Sequence, residues 1–143
     1  MKFTVEKITL ISKDETELID ITDKVKEIVR NANIKSGFCN IYSLHTTTAV
    51  TINEGLECLE KDIAEFLQKI VPEELPYFHA HFLPQDGRLG VNAYCHLRSS
   101  LFGINYVIPI ENGELLLGGR QKIYFIELDG PKKRKVAVQI GGE

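Results

Sequence analysis

Paired cysteines, a basic excess and long apolar runs are all missing from this chain, and each absence removes a class of protein. The three cysteines, Cys39, Cys58 and Cys95, lie far apart, form no CxxC spacing and are odd in number. They indicate neither a disulfide framework nor a cysteine zinc site, and they suit a reducing cytoplasm. Lys2, Glu6 and Lys7 interrupt the N-terminal stretch where a secretory leader is apolar, and no apolar run approaches membrane-spanning length. A soluble cytoplasmic protein with no membrane partner is the expectation. The formal net charge of -3 leaves no global basic footprint, so a grip on nucleic acid through many phosphates is not expected. A Walker loop, a GxGxxG turn and a GxSxG elbow are also lacking, which argues against a nucleotide fold and a serine-nucleophile triad.

What is present is a globular composition: 143 residues, 43% of them hydrophobic, without internal repeats or low-complexity tracts. One domain over residues 1–143 accommodates this. Residues 3–10 read as a strand, followed by a turn near Asp14 and a short strand over 17–21. Thr22 or Asp23 is placed to cap a helix whose Val25, Ile28, Val29 and Ala32 share one face, and Gly37 suits a chain reversal after it. The set Leu56, Leu59, Ile63, Phe66, Leu67 and Ile70 repeats at three- and four-residue steps, predicting a second helix that Pro72 and Pro76 end. Residues 72–90 read as a long loop, then Leu97 to Phe102 as a short apolar piece. Strands follow at 104–110, 121–128 and 134–140, with Asn112-Gly113 as a hairpin turn and Asp129-Gly130-Pro131 as another. This order predicts a mainly antiparallel α+β domain with two principal helices.

Polar residues that could do chemistry concentrate in the middle third. The stretch from Tyr42 to Glu54 sets His45, Thr46, Thr47 and Thr48 between apolar runs and ends on a carboxylate. His45 there is a candidate ligand or acid/base, the hydroxyls are donors to a small anion, and Glu54 is a second ligand or base. The plainer reading is a β-rich edge whose threonines suit strands. The other histidines, His79, His81 and His96, sit in or beside loops, and three imidazoles with an open position would make a catalytic metal site. Arg88, Arg98, Arg120 and Arg134 offer charge-assisted donors to a phosphate. The run from Lys132 to Lys135 reads as a solvated hairpin end, and Cys95 as a small packing residue.

Several motifs occur together in one order: His45-Thr46-Thr47, Thr51-Ile52-Asn53-Glu54, Tyr77-Phe78-His79, Asn92 with His96-Leu97, residues 113–118, Gln121 to Tyr124, and Asp129-Gly130-Pro131 with Arg134. Through them nearly the whole chain resembles the YjbQ family, described as secondary thiamin-phosphate synthases. The resemblance implies a β-sandwich, assembly as a homotrimer with the polar motifs near subunit boundaries, and coupling of a hydroxymethylpyrimidine diphosphate to a thiazole phosphate. It implies His45, His79 and His96 as a cluster for a divalent metal, zinc-like or magnesium, with His45 and Glu54 catalytic. Thr46, Thr47, Asn92, Gln121 and Arg134 would hold a small phosphorylated metabolite. Two other readings are kept: a non-catalytic binding protein for a phosphorylated metabolite or a metal, and a metal-dependent hydrolase. Arg120 stands where the family shows Trp, Tyr94 and Cys95 replace small or acidic residues, and His81 rivals His79 for the middle position.

Overall fold

A computed structural model of the chain describes residues 1–80, 82–83 and 88–143, with 80, 82, 83, 88 and 89 described by backbone alone. In chain order the elements are β1 (Lys2–Ile11), β2 (Glu17–Asp20), α1 (Thr22–Ala32), β3 (Ser36–Ser43), β4 (Thr48–Glu54), α2 (Glu57–Ile70), a 3-10 turn (Phe78–Ala80), β5 (Phe82–Leu83), β6 (Arg88–Leu89), α3 (Ala93–Phe102), β7 (Asn105–Glu111), β8 (Glu114–Leu115), β9 (Gln121–Glu127) and β10 (Lys133–Gly142). Two sheets carry the fold, in the orders β1-β10-β3-β7-β8 and β2-β9-β4, and β5 with β6 adds a small ladder. The described strand pairings are antiparallel, so α+β with mainly antiparallel sheets holds.

Alternation along the strands explains the layering. Ile8, Leu10, Ile41, Ile108, Val136 and Val138 of the larger sheet pack against Val50, Ile123 and Phe125 of the smaller one, and Val25 and Val29 of α1 join the same core. The opposite face of β9 presents Tyr124 and Ile126 to Leu67 of α2 and to Tyr94 and Cys95 of α3. Because β9 is covered on both faces, Ile123 to Leu128 is an apolar run broken only by Glu127, and every one of its residues is buried.

The structure corrects four local expectations. A third helix, α3, occupies the stretch read as a short apolar piece; its buried face includes Arg98 and Ser99, which break the apolar period that would have revealed it. Gly37 makes no reversal: it lies inside β3, where a Cβ would sit 2.0 Å from the Gly141 carbonyl oxygen. The chain instead turns at Asn33, which takes the left-handed conformation at φ 54°. Neither Thr22 nor Asp23 makes a side-chain cap bond to α1; the Thr22 hydroxyl donates to Asp20 at 2.5 Å and accepts the Ile123 N–H at 2.8 Å, tying the helix start to β9. The return strand after Asn112-Gly113 is short, covering Glu114–Leu115 alone. None of the described helices is long and apolar enough to cross a membrane.

Candidate functional site

Three connections meet on one side of the smaller sheet. The β3–β4 loop brings Thr46 and Thr47, the β9–β10 turn brings Asp129 and Lys132, and the entry to α3 brings Asn92 and His96. A bond from the Leu128 N–H to the Thr47 carbonyl, 3.2 Å, holds the first two together. Asn92 and His96 are four residues apart at the start of a helix and so face the same way. His79, on the 3-10 turn, completes the set. A Cβ on Gly90 would lie 2.5 Å from the His79 carbonyl oxygen and 2.9 Å from its Nε2, so this approach needs glycine.

The hydrogen bonds form one relay. Lys132 Nζ donates to Asp129 Oδ2 at 2.8 Å, and Asn92 Nδ2 donates to the same oxygen at 2.9 Å. Asn92 Oδ1 then faces His79 Nε2 at 3.0 Å. An ionised carboxylate only accepts, so it fixes the Asn92 amide, and the amide oxygen in turn fixes the hydrogen of His79 on Nε2. The His79 and His96 rings meet edge to face with centroids 5.1 Å apart. They separate two cavities. One, of 460 Å3, is polar and is lined by Thr46, Thr47, Asn92, Asp129 and Lys132. The other, of 440 Å3, is apolar and is lined by Tyr77, Phe78, Ala93 and Leu97. Phe78 is 92% exposed beside it.

Charge tuning follows from these neighbours. Burial, and next the adjacent His79, hold the His96 imidazole below its ordinary range; the Thr46 carbonyl and Asp129 oppose this without reversing it. Burial pushes the Asp129 carboxyl up, but the bonds from Lys132 and Asn92 outweigh it and keep it below its usual value. At neutral pH the site therefore presents a neutral His96 and an Asp129 carboxylate, the latter paired with Lys132.

Beneath the cavity lies a buried ion pair. Arg134 Nε and Nη2 donate to the two Glu127 oxygens at 2.8 and 2.7 Å, and Nη2 also donates to the Thr47 hydroxyl at 2.9 Å. Glu127 further accepts from Ser12 at 2.6 Å and from the N–H groups of Leu128 and Asp129 at 3.0 and 3.2 Å. Burial raises this carboxyl, yet the Arg134 and Ser12 bonds leave it below the ordinary value. Arg134, expected to bind an anion, thus lies under the site and is absent from the cavity lining.

Of the expected site residues, the structure brings together Thr46, Thr47, His79, Asn92 and His96. His45 is elsewhere: its Nε2 accepts the Lys135 N–H at 2.8 Å, turning the ring onto β10. Burial, and then the Arg134 charge, hold its imidazole below the ordinary range. Glu54 pairs at the surface with Arg120, 2.7 Å, and is absent from the lining of either cavity. Gln121 accepts the Gly118 N–H at 2.8 Å in the preceding turn. The Arg98 guanidinium donates to the Val71 carbonyl just past α2, Arg88 is described by backbone alone, and His81 lies outside the described residues. His79 and His96 offer two nitrogens to a metal, but His45 is turned away, and among the described residues no three His, Cys, Asp or Glu side chains are grouped to hold one. The expected three-histidine set does not fit this arrangement. Sequence reasoning missed Asp129 and Lys132, read as a turn residue and a solvated charge. For Asp129 the signal was its place in the Asp129-Gly130-Pro131 motif; for Lys132 it was only a position three residues on, across the same sharp turn.

A model of the family described as UPF0047 protein YjbQ-like matches residues 6–143. The chain is 42% identical over 132 residues to a UPF0047 protein of Archaeoglobus fulgidus, covering 92% of this chain and 97% of that one. It is 36% identical over 127 residues to the UPF0047 protein YugU of Bacillus subtilis, covering 88% and 90%. Among solved structures, a YbjQ-like protein of unknown function from Sulfolobus solfataricus superposes with a TM-score of 0.92 at 33% identity, covering 99% of both chains.

Proposed function

The chain belongs to the YjbQ (UPF0047) family, and from that premise we propose that it is a transferase for small phosphorylated substrates, in the finer reading one that joins a hydroxymethylpyrimidine diphosphate to a thiazole phosphate. The observation that carries the reading is the position of the His79 and His96 pair between a polar cavity and an apolar one. A phosphate group suits the first, where Lys132 and two threonine hydroxyls offer donors beside the start of α3. A flat organic ring suits the second.

In that coupling the thiazole nitrogen supplies the electron pair for the new C–N bond to the pyrimidine methylene carbon. The C–O bond to diphosphate breaks, and diphosphate leaves with its own pair. Lys132, Thr46 and Thr47 would meet the charge building on the departing oxygens, the kind of stabilisation that usually dominates catalysis. The thiazole nitrogen brings no proton, so this reaction uses the imidazoles to position the substrates. A second reading, hydrolysis of a phosphate ester, is favoured by the neutral state of His96, in which it can take a proton from water.

The same reading carries a homotrimer, supported by the exposed apolar side chains Phe3, Val5, Tyr42 and Val107 on the outer face of the larger sheet. A divalent cation at His79 and His96 would need further ligands from outside the described residues or from a second protomer.

The test uses protein from a strain lacking its own thiamin-phosphate synthase, given both substrates. Wild type is expected to form thiamin phosphate, and Lys132→Ala and His96→Ala at least about tenfold less, the worth of one charge-assisted contact. Orthophosphate release from aryl phosphates without coupling would favour hydrolysis. No product of either kind from wild type would overturn the catalytic proposal.

A further inference from the structure

A third cavity, of 620 Å3, shares no residue with the imidazole site and lies between the β1–β2 loop, α2, the exit from α2 and α3. Glu15, Thr16, Gln68, Glu73, Glu74 and Arg98 line it.

Arg98 is the unusual member. It is 3% exposed, as buried as Arg134 at 5%. Arg134 has a bidentate carboxylate, whereas among the described residues Arg98 has none within 4.0 Å. Its Nε and Nη2 both donate to one backbone carbonyl, that of Val71, at 3.0 and 2.8 Å, and its guanidinium lies 4.8 Å from the centre of the Tyr94 ring. These contacts hold the fork in place, but a carbonyl dipole compensates a buried charge only in part.

Glu15, on the exposed β1–β2 loop, is anchored through the same neighbour, because the Tyr94 hydroxyl donates to its Oε1. Two opposite charges therefore line one cavity, each fixed by other bonds, without forming an ion pair with each other. Side chains free to move would close on one another. Held apart, they match a molecule that carries both charges, and Glu73 and Glu74 add negative potential for its cationic end.

We propose that this cavity binds a small zwitterion of the α-amino-acid class, its carboxylate on Arg98 and its ammonium on Glu15. Pre-organised charges spend little of the binding energy on ordering, which is what an immobilised fork and an anchored carboxylate provide.

The experiment is thermal denaturation of the full chain with a panel of proteinogenic amino acids at about 10 mM, with acetate alone and methylammonium alone as half-ligand arms, followed by calorimetric titration of any hit. At least one amino acid should raise the melting temperature while neither half-ligand does. Glu15→Gln should weaken its binding about tenfold, the usual worth of a hydrogen bond to a charged group. Glu15 sits on an exposed loop, so this variant keeps the fold even where Arg98→Met does not. Arg98→Lys, which retains the charge and loses the fork, should weaken binding as well. An amino-acid panel without any shift, a shift reproduced by acetate alone, or a Glu15→Gln variant that binds unchanged would each overturn the assignment.

Discussion

Asn92 presents its carbonyl oxygen to His79 because Asp129 accepts a hydrogen bond from its amide nitrogen, and Asp129 is itself held by Lys132. Removing the middle of this relay should free the ring. Asn92→Ala is expected to cost about 1 kcal/mol of stability and to leave His79 as a mixture of tautomers, which nitrogen NMR of the imidazole reads directly. The Glu127–Arg134 pair is a stiffer matter. Glu127→Ala strands a buried guanidinium and should cost about 3–5 kcal/mol in urea unfolding. The pH dependence has a definite sign. His96 binds its proton less readily in the folded chain than at its ordinary value of 6.5, so below that value the unfolded chain holds more protons and stability falls as pH drops. Glu127 and Asp129 act in the same direction lower down: what they contribute is present above 4.5 and 3.8 and is lost as pH falls through their depressed folded values. Urea midpoints should hold level from about pH 8 to about pH 7 and decline from there to about pH 3; a flat profile over the whole range would refute these shifts. The residue types of the site were legible, since His79, His96, Asn92 and the threonines were all singled out. Their directions were not. Nothing in the residues around His45 tells that its ring will meet the Lys135 N–H, ninety positions away.

At the scale of elements, the site depends on how α3 begins. Its cap residue and a histidine one turn later reach the same cavity, and Gly90 lets His79 come against them. Gly90→Ala should push His79 off Asn92 and reproduce the NMR signature of Asn92→Ala without touching either polar side chain. In Gly37→Ala the new methyl meets the Gly141 carbonyl oxygen at 2.0 Å, between β3 and β10; a loss of about 1–3 kcal/mol or more is expected in urea unfolding. Strands with alternating or fully apolar patterns were readable, as was α2 with its repeated spacing. α3 was not, because a helix that buries an arginine and a serine beside apolar residues shows no clean period. Gly37 misled for a related reason: glycine marks a close approach of two backbones as readily as it marks a turn.

For the whole molecule, element order was enough to indicate antiparallel α+β, since hairpin turns leave few other ways to join so many short strands. It could not show that the smaller sheet would be covered on both sides, by the larger sheet and by α2 with α3. That arrangement is what gathers three separated connections at one place. The outer face of the larger sheet carries Phe3, Val5, Tyr42 and Val107 in the open, and light scattering on purified protein is expected to give three times the chain mass. A monomer at micromolar concentration would remove the trimer from the proposal. The central claim is that His79 and His96, without His45, face the bound phosphate. Nitrogen-detected NMR of the imidazoles during a pyrophosphate titration tests it in one measurement: His79 and His96 signals should shift together and saturate while His45 stays put. Saturation that moves His45 and leaves the other two unchanged, or no movement of any ring, would contradict it.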